Sequence, residues 1–438
     1  MASTAAILAL TILLLSPITL AGDLHGFRAT LTPIHQLSPG KHSAAVRRDS
    51  HRHAFLSYAA TAVGKATTNS SVSVQAQLEN GAGAYNMNLS VGTPPLSFPL
   101  IVDTGSDLIW TQCAPCTNCF PEPSPAPVLQ PASSSTFSKL PCNSAFCQSL
   151  PTSARACNAT GCVYDYRYGL GYTAGYLATE TLTVGDDTFS KVAFGCSTEN
   201  GVDNSSGIVG LGRGPLSLVS QLGVGRFSYC LRSSMAAGAS PILFGSMAKL
   251  TDAEVQSTPL LKNPSLRRSS HYYVNLTGIT VGSTDLPVTS STFAFTRTGI
   301  GGGTIVDSGT TLTYLIKEGY AMVKRAFLSQ MANLTRVNGA RFDLDLCFRT
   351  SGGEVPAVPR LVLRFAGGAE YAVPRESYFG AVAVDSRGRV AVECLLVLPA
   401  SEDLSISIIG NMMQMDMHVL YDLDGEMFSF APADCTKV

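Results

Sequence analysis

Two short motifs in this chain of 438 residues end an apolar run with an ionisable side chain. Asp103 follows Ile101-Val102 and opens Thr104-Gly105-Ser106, while Asp307 follows Ile305-Val306 and opens Ser308-Gly309-Thr310. One such aspartate is ordinary turn chemistry at the end of a strand. Two copies are harder to explain that way, because a second landmark recurs with them: Ile208-Val209-Gly210 follows the first motif, and Ile408-Ile409-Gly410 follows the second after nearly the same interval. The repeat implies two halves built to one plan. Packed about a pseudo-twofold axis, the two loops would meet with their carboxylates side by side.

Carboxylates about 3 Å apart cannot both ionise, so such a pair shares one proton. Its ionised member can act as general base on a water held between the two, and its protonated member can polarise a carbonyl. No metal and no cofactor is required. Gly105 and Gly309 would let backbone approach the carboxylates with no Cβ in the way. Thr104 and Ser308 offer hydroxyls to the opposite loop, and Ser106 and Thr310 offer theirs to the outer carboxylate oxygens.

The elements that must position this pair are β-strands. Hydrophobic residues make up 45% of the chain and charged residues 14%, with 40 Gly and 24 Pro punctuating short runs of Val, Ile, Leu, Thr and Tyr such as residues 272–281. This suits a globular, β-rich protein of two domains with processed ends, since single cores stop growing near 250–300 residues. Between them, residues 317–331 show Tyr320, Val323, Phe327 and Met331 at helical spacing and read as a core-packed helix.

The ends differ from the body. Residues 1–21 read as a secretory signal peptide with an apolar core from Ile7 to Leu15; a membrane anchor is the alternative, for which that core is short. Residues 22–78 read as a removable pro-segment. It holds five of the seven histidines (His25, His35, His42, His51, His53), and residues 1–80 carry six Lys/Arg against three acids. The remainder has 24 basic and 28 acidic residues and no basic excess to suit nucleic acid. Such a leader is expected to cover an acidic cleft near neutral pH and to leave on acidification, as cleft carboxylates lose charge and leader histidines gain it. A solvated leader with no masking role is the alternative.

Twelve cysteines, all beyond residue 112, and six Asn-x-Ser/Thr sequons at Asn69, Asn88, Asn158, Asn204, Asn275 and Asn333 fit an oxidising, secretory route. Cys113-x2-Cys116-x2-Cys119 taken alone also fits an iron–sulfur or zinc run, but the export signal and even count favour disulfides.

Asp103-Thr104-Gly105-Ser106, Asp307-Ser308-Gly309-Thr310 and the two apolar-apolar-Gly landmarks resemble the pepsin-like aspartic proteases. The run Gln112 to Phe120 resembles the plant nepenthesin-type branch, and the likeness spans about Ala84 to Cys435. It implies an all-β fold with a few short helices, bilobal, with the substrate cleft between the lobes: an N-terminal lobe over 79–250, containing a Cys-rich insert (about 113–162) and a flap (about 164–180), and a C-terminal lobe over 251–438. The family's flap tyrosine falls on Tyr168, beside Gly169, and its indole partner on Trp110. The flap departs from the family at Leu170 and Tyr172, which puts subsite preference in doubt. The resemblance further implies bridges Cys113–Cys116, Cys119–Cys196, Cys142–Cys162, Cys147–Cys157, Cys230–Cys435 and Cys347–Cys394. The function it implies is acid endopeptidase action on protein substrates by Asp103 and Asp307, in a monomer made as a zymogen and sent outside the cell or to the vacuole.

Other chemistries fit less well. There is no Gly-x-Ser-x-Gly elbow, and only His271 and His418 lie beyond the leader. Gly299 to Thr304 is Gly-rich but lacks the lysine of a phosphate loop, and no dinucleotide fingerprint follows a strand. The competing class is a protein-binding module on the same fold, such as an inhibitor of foreign glycosidases, whose members typically lack part of the acid pair.

Overall fold

The computed structural model describes residues 26–34, 39–61, 83–119 and 128–438, apart from breaks at 169–170, 202–205, 234–237, 252–253, 265–269, 297–300, 351–355 and 402–405. The chain is mainly β with short helices, arranged as two lobes related by a pseudo-twofold. The sequence repeat has a direct structural meaning. In the first lobe Leu96–Asp103 runs parallel to Gly207–Gly210, with Ile101 opposite Ile208 and Asp103 opposite Gly210. In the second, Thr304–Val306 runs parallel to Ser407–Ile409, with Ile305 opposite Ile408. Each motif therefore ends a central strand whose neighbour is the matching apolar-apolar-Gly landmark. Gly207–Gly210, Thr304–Val306 and Ser407–Ile409 are buried throughout and read as short apolar runs without alternation, whereas Leu96–Asp103 alternates until its last two residues, Val102 and Asp103, are both buried.

One 15-stranded sheet joins the lobes. The last two strands, Met417–Asp422 and Met427–Pro432, return to pair with Arg226–Cys230 and Gln256–Pro259, so the C-terminal residues complete a sheet that the first lobe began. An aromatic stack closes this junction: Phe227 lies flat on Tyr421 with ring centroids 4.6 Å apart, Tyr272 meets the edge of Tyr421 at 4.6 Å, and the Tyr229 and Tyr421 hydroxyls are 2.9 Å apart. The helix Lys317–Gln330 packs Tyr320, Val323 and Phe327 into the second lobe's core, with Met331 buried just beyond it.

The leader is built into the body. Strand Phe27–Pro33 inserts between Tyr85–Val91 and Ser240–Phe244, pairing antiparallel with both. Helix His42–Thr61 then crosses the cleft between the lobes. Its buried residues His42, Ala45, Val46, Asp49 and His53 recur at helical spacing and form one face, although three of the five are polar.

Four of the six expected bridges are corrected. Cys230–Cys435 and Cys347–Cys394 are present, but the others pair as Cys113–Cys196, Cys116–Cys119, Cys142–Cys157 and Cys147–Cys162. The reason lies in the strands. Thr111 pairs in parallel with Cys196, and the Cys113 amide donates to the Ser197 carbonyl, so Cys113 is carried onto Cys196 while Cys116 and Cys119 remain together in the loop. Cys157 and Cys162 face one another across a hairpin; the buried Cys162 takes the buried Cys147, and the exposed Cys157 takes Cys142. Of the sequons, Asn88, Asn158, Asn275 and Asn333 are exposed; Asn69 and Asn204 lie outside the described residues.

Because Phe227 holds the interlobe stack, Phe227→Ala is expected to destabilise the protein by about 3–5 kcal/mol. Denaturant titration followed by tryptophan fluorescence would measure this, and a change below about 1 kcal/mol would contradict the role of the stack.

Candidate active site

The two Asp-(Thr/Ser)-Gly loops meet at the junction of the lobes, and each supports the other. The Thr104 amide donates to Ser308 Oγ at 3.1 Å, and the Ser308 amide donates to Thr104 Oγ1 at 2.8 Å. The hydroxyls continue into the strands: Ser308 Oγ donates to the Val102 carbonyl at 3.0 Å and Thr104 Oγ1 to that of Val306 at 3.3 Å. All of these groups are buried, so each donor and acceptor needs its partner. Asp103 accepts from the Gly105 amide at 2.9 Å and from Ser106 Oγ at 2.5 Å. Asp307 accepts from the Gly309 amide at 2.9 Å and from Thr310 Oγ1 at 2.7 Å, the same pattern in the other lobe.

Close approach explains the glycines. A Cβ on Gly105 would stand 2.7 Å from Asp307 Oδ1, and one on Gly309 would stand 2.3 Å from Asp103 Oδ1. Neither distance is one that a Cβ can hold.

Arg52, from the leader helix, lies between the carboxylates. Its Nη2 donates to Asp103 Oδ1 at 2.5 Å and to Asp307 Oδ1 at 2.9 Å, Nη1 to Asp103 Oδ2 at 3.1 Å, and Nε to Asp307 Oδ2 at 2.8 Å. One planar guanidinium thus satisfies both carboxylates by its two edges, a fork geometry that a lysine ammonium cannot reproduce. Burial would push the Asp307 carboxyl up, but the Arg52 charge and the hydrogen bonds from Arg52, Thr310 and Gly309 bring it down to about 2. Burial works against the charge on Arg52, yet Asp103 and Asp307 together hold its pKa above the ordinary value.

Arg48, Asp49 and His53 of the leader helix also contact the second loop and the strand that follows it. Arg48 Nη2 donates to the Gly309 carbonyl at 3.0 Å and to Thr311 Oγ1 at 2.9 Å. The Asp49 carboxylate accepts from the amides of Thr311 and Leu312. The His53 ring stands edge-on to Tyr314 with centroids 4.0 Å apart. Burial lowers His53 to about 3 and His42 to about 4.

Comparison with known proteins agrees with this architecture. A model of the xylanase inhibitor N-terminal family matches residues 85–246 and one of the C-terminal family matches 271–432. Aspartic proteinase nepenthesin-1 of Nepenthes gracilis is 43% identical over 376 residues, covering 85% of this chain and 82% of its own, and nepenthesin-2 of the same plant is 43% identical over 375 residues, covering 84% of this chain and 82% of its own. This chain belongs to the nepenthesin-type branch of the pepsin-like aspartic endopeptidases. Aspartyl protease family protein 2 of Arabidopsis thaliana is 37% identical over 90% of this chain and 81% of its own. Among solved structures, edgp superposes with a TM-score of 0.65 at 22% identity over 81% of this chain and 92% of its own, which speaks to the fold alone.

In this nepenthesin-type chain the structure brings together Asp103, Thr104, Gly105, Ser106, Asp307, Ser308, Gly309 and Thr310. Trp110 is fully buried on the strand next to Gly207–Gly210. Tyr168 ends a flap strand opposite Gly171, but its side chain, like Gly169 and Leu170, lies outside the described residues. Tyr172, one of the flap departures, has a visible role: its hydroxyl donates to Glu199 Oε1 at 2.8 Å and accepts from Asn118 Nδ2 at 3.0 Å, which ties the flap to the Cys-rich loop.

Sequence reasoning missed Arg48, Asp49 and Arg52 as site residues, and also Asp107. The Asp107 carboxylate accepts from Ser270 Oγ at 2.5 Å and from the Gly214 amide at 2.8 Å, and so joins the first loop to the strand leading into the second lobe. Burial raises its pKa. In the sequence the leader residues stood only as members of the charged run Arg47-Arg48-Asp49-Ser50-His51-Arg52-His53.

The Gly309 approach yields a direct test. Gly309→Ala should lower kcat by about 100-fold, because displacements near 1 Å cost that much at a reacting centre. Steady-state kinetics beside a circular dichroism spectrum would check it; an unchanged kcat in a normally folded variant would contradict the close-approach argument.

Proposed function

We propose that this chain is made as a latent zymogen and, once its leader is gone, hydrolyses peptide bonds of proteins at acid pH with Asp103 and Asp307 as the catalytic pair. The observation that carries this reading is the pair itself: two buried carboxylates held across the lobe junction by reciprocal Thr104 and Ser308 hydrogen bonds, with glycines leaving room for each to approach the other loop. Arg52 supplies the positive charge that compensates the pair in the latent form. Without it, like charge at this distance requires that one carboxylate hold a proton, as in known aspartic proteases. The pair can then seat a water where the guanidinium sits now. The ionised carboxylate takes a proton from that water as it attacks the peptide carbonyl, and the protonated carboxyl donates to the carbonyl oxygen. Thr104, Ser308, Ser106 and Thr310 keep the two carboxyls in place throughout.

The leader, residues 22–78, is the natural inhibitor in this reading, and its acid release is driven by histidine. With Asp307 held at about 2 by Arg52, that carboxylate keeps its charge between pH 6 and 4 while the leader is docked. His42 and His53 do respond. Their docked values of about 4 and about 3 lie below the ordinary 6.5, so their contribution to docking is complete above pH 6.5. It is lost as pH falls, at about 1.4 kcal/mol per histidine per pH unit.

The six disulfides fit passage through an oxidising compartment, and secretion to the apoplast or transfer to the vacuole belongs to the same proposal. No helix among the described residues is long and apolar enough to cross a membrane.

Two measurements test the reading. Processed protein should hydrolyse a denatured protein substrate with an acid optimum, and pepstatin or Asp307→Asn should abolish this activity by at least 10³-fold. Absence of hydrolysis from pH 2 to 8 in folded, processed protein would favour the protein-binding module, in keeping with the xylanase inhibitor description of the matching families. Separately, the full chain should stay intact at pH 7 and convert to mature size between pH 6 and 4. The His42→Asn/His53→Gln double variant should convert only at lower pH. Equal conversion rates of the natural chain at pH 7 and pH 4, followed on a gel, would refute histidine-driven release.

A further inference from the structure

His271, on the body of the protein, lies beside the catalytic pair. It directly precedes strand Tyr272–Val274, which pairs antiparallel with Thr304–Val306, Tyr272 opposite Val306 and Tyr273 opposite Ile305. Carried one residue further, that register sets His271 beside Asp307. Both neighbours of His271 are fixed from the first lobe. On one side, Ser270 Oγ donates to Asp107 Oδ2 at 2.5 Å and the Ser270 carbonyl accepts from the Arg213 amide at 3.0 Å. On the other, the Tyr272 hydroxyl donates to the Leu211 carbonyl at 2.6 Å. With residues 270 and 272 both anchored, the partly buried imidazole is kept at the lobe junction, where it hydrogen-bonds the Gly105 backbone of the first loop.

Burial lowers the His271 pKa while the leader is docked; the Asp307 and Asp103 charges oppose this, and the Arg52 charge adds to it. Among the described residues, the other titratable groups around it are engaged elsewhere. Asp107 accepts from Ser270 and the Gly214 amide, Arg213 Nη1 donates to the Leu261 carbonyl at 2.9 Å, and the Tyr273 ring stands edge-on with centroids 6.0 Å apart. Departure of the leader removes Arg52 and opens the junction to water. Two of the effects that keep His271 neutral then weaken together, while the carboxylates that favour its charge stay in place. Such coupling is reciprocal: a charged imidazole favours ionised carboxylates as much as they favour it. A pair sharing one proton beside that cation gives up its remaining negative charge only at lower pH.

We propose that in the processed enzyme His271 takes over from Arg52 as the cation beside the catalytic pair and keeps that pair singly ionised in acid. This rests on the endopeptidase reading above and adds to it the residue that sets the acid limit of activity. In this role His271 is a positioning residue that acts through Asp103 and Asp307. The leader's arginine and the enzyme's own histidine then serve the same two carboxylates in turn.

The test begins without catalysis. Loss of the leader leaves His271 and His418 as the only histidines of the chain, so NMR of the imidazoles can follow each in processed protein, with His271→Gln identifying the signal. The titration midpoint of His271 should fall by about 0.5 pH unit or more in a folded Asp103→Asn/Asp307→Asn double variant, because the charge that favours the imidazolium is gone. An unchanged midpoint would overturn the proposal whether or not any peptide is cleaved. In kinetics, the acid limb of kcat/KM for processed His271→Gln should stand about 0.5 pH unit or more above that of the natural enzyme, since a neutral amide no longer opposes protonation of the pair. An acid limb that stays in place in folded, active His271→Gln enzyme would overturn the proposal and leave the endopeptidase reading intact.

Discussion

Two like charges buried against each other are the constraint from which the remaining architecture follows. Asp103 and Asp307 lie out of water, each close enough to the other's loop that a methyl group on Gly105 or Gly309 would collide with the facing carboxylate. Such an arrangement is unstable by itself, because burial and mutual repulsion both oppose ionisation. It is held by buried hydrogen bonds that cross between lobes, by two central strands in matched parallel register, and by an interlobe sheet to which both ends of the body contribute. The charge must also be compensated. Here a guanidinium does it; in the proposed active form a shared proton does.

This exchange of compensating charge links latency to chemistry. While Arg52 is docked, its guanidinium compensates the charge of the pair and fills the space between the two carboxylates. In the proposed zymogen, the contact that makes the leader fit stands in place of the shared proton that the proposed hydrolysis requires. In the proposed release on acidification, groups outside the pair take part. The buried leader histidines are suited to it because their neutral form is the one the docked helix accepts, and because acid favours the charged form that it does not. Asp49 has the opposite sense: burial, opposed by Arg48 and the Leu312 and Thr311 hydrogen bonds, raises its pKa, so its docking is favoured at low pH and weakens as pH rises through its docked value. The leader's response to acid is thus the sum of opposed terms.

The Cys-rich segment shows a different division of labour. Cys113 and Cys196 tie the strand behind the first catalytic loop to the long flap-supporting strand Asp187–Asn200, whereas Cys142–Cys157 and Cys147–Cys162 close a small, polar unit around one hairpin. Tyr172 bridges the two regions by bonding Asn118 and Glu199. A bulky aromatic in the flap, unexpected from the family pattern, thereby has a structural use away from the substrate.

The sequence by itself determined the repeat, the paired aspartates, the glycines beside them, the hydroxyls that bridge the loops and the helix from Lys317, because each is encoded by a local pattern whose physical meaning does not depend on distant neighbours. The bilobal β fold followed from that repeat and from the strand-and-turn composition. What only the tertiary structure decided was partnership. Cys113 meets Cys196 because two strands run in parallel register, a fact absent from cysteine spacing. The docking face of the leader helix was hidden since His42, Asp49 and His53 are polar, and a stripe of polar residues carries no hydrophobic periodicity even when all of it is buried. Arg52 was one basic residue among several until the fold set it between two carboxylates 51 and 255 positions away. Charge compensation is a property of three-dimensional neighbourhoods, so the sequence could specify the two negative charges and leave their positive partner to be chosen by the packing.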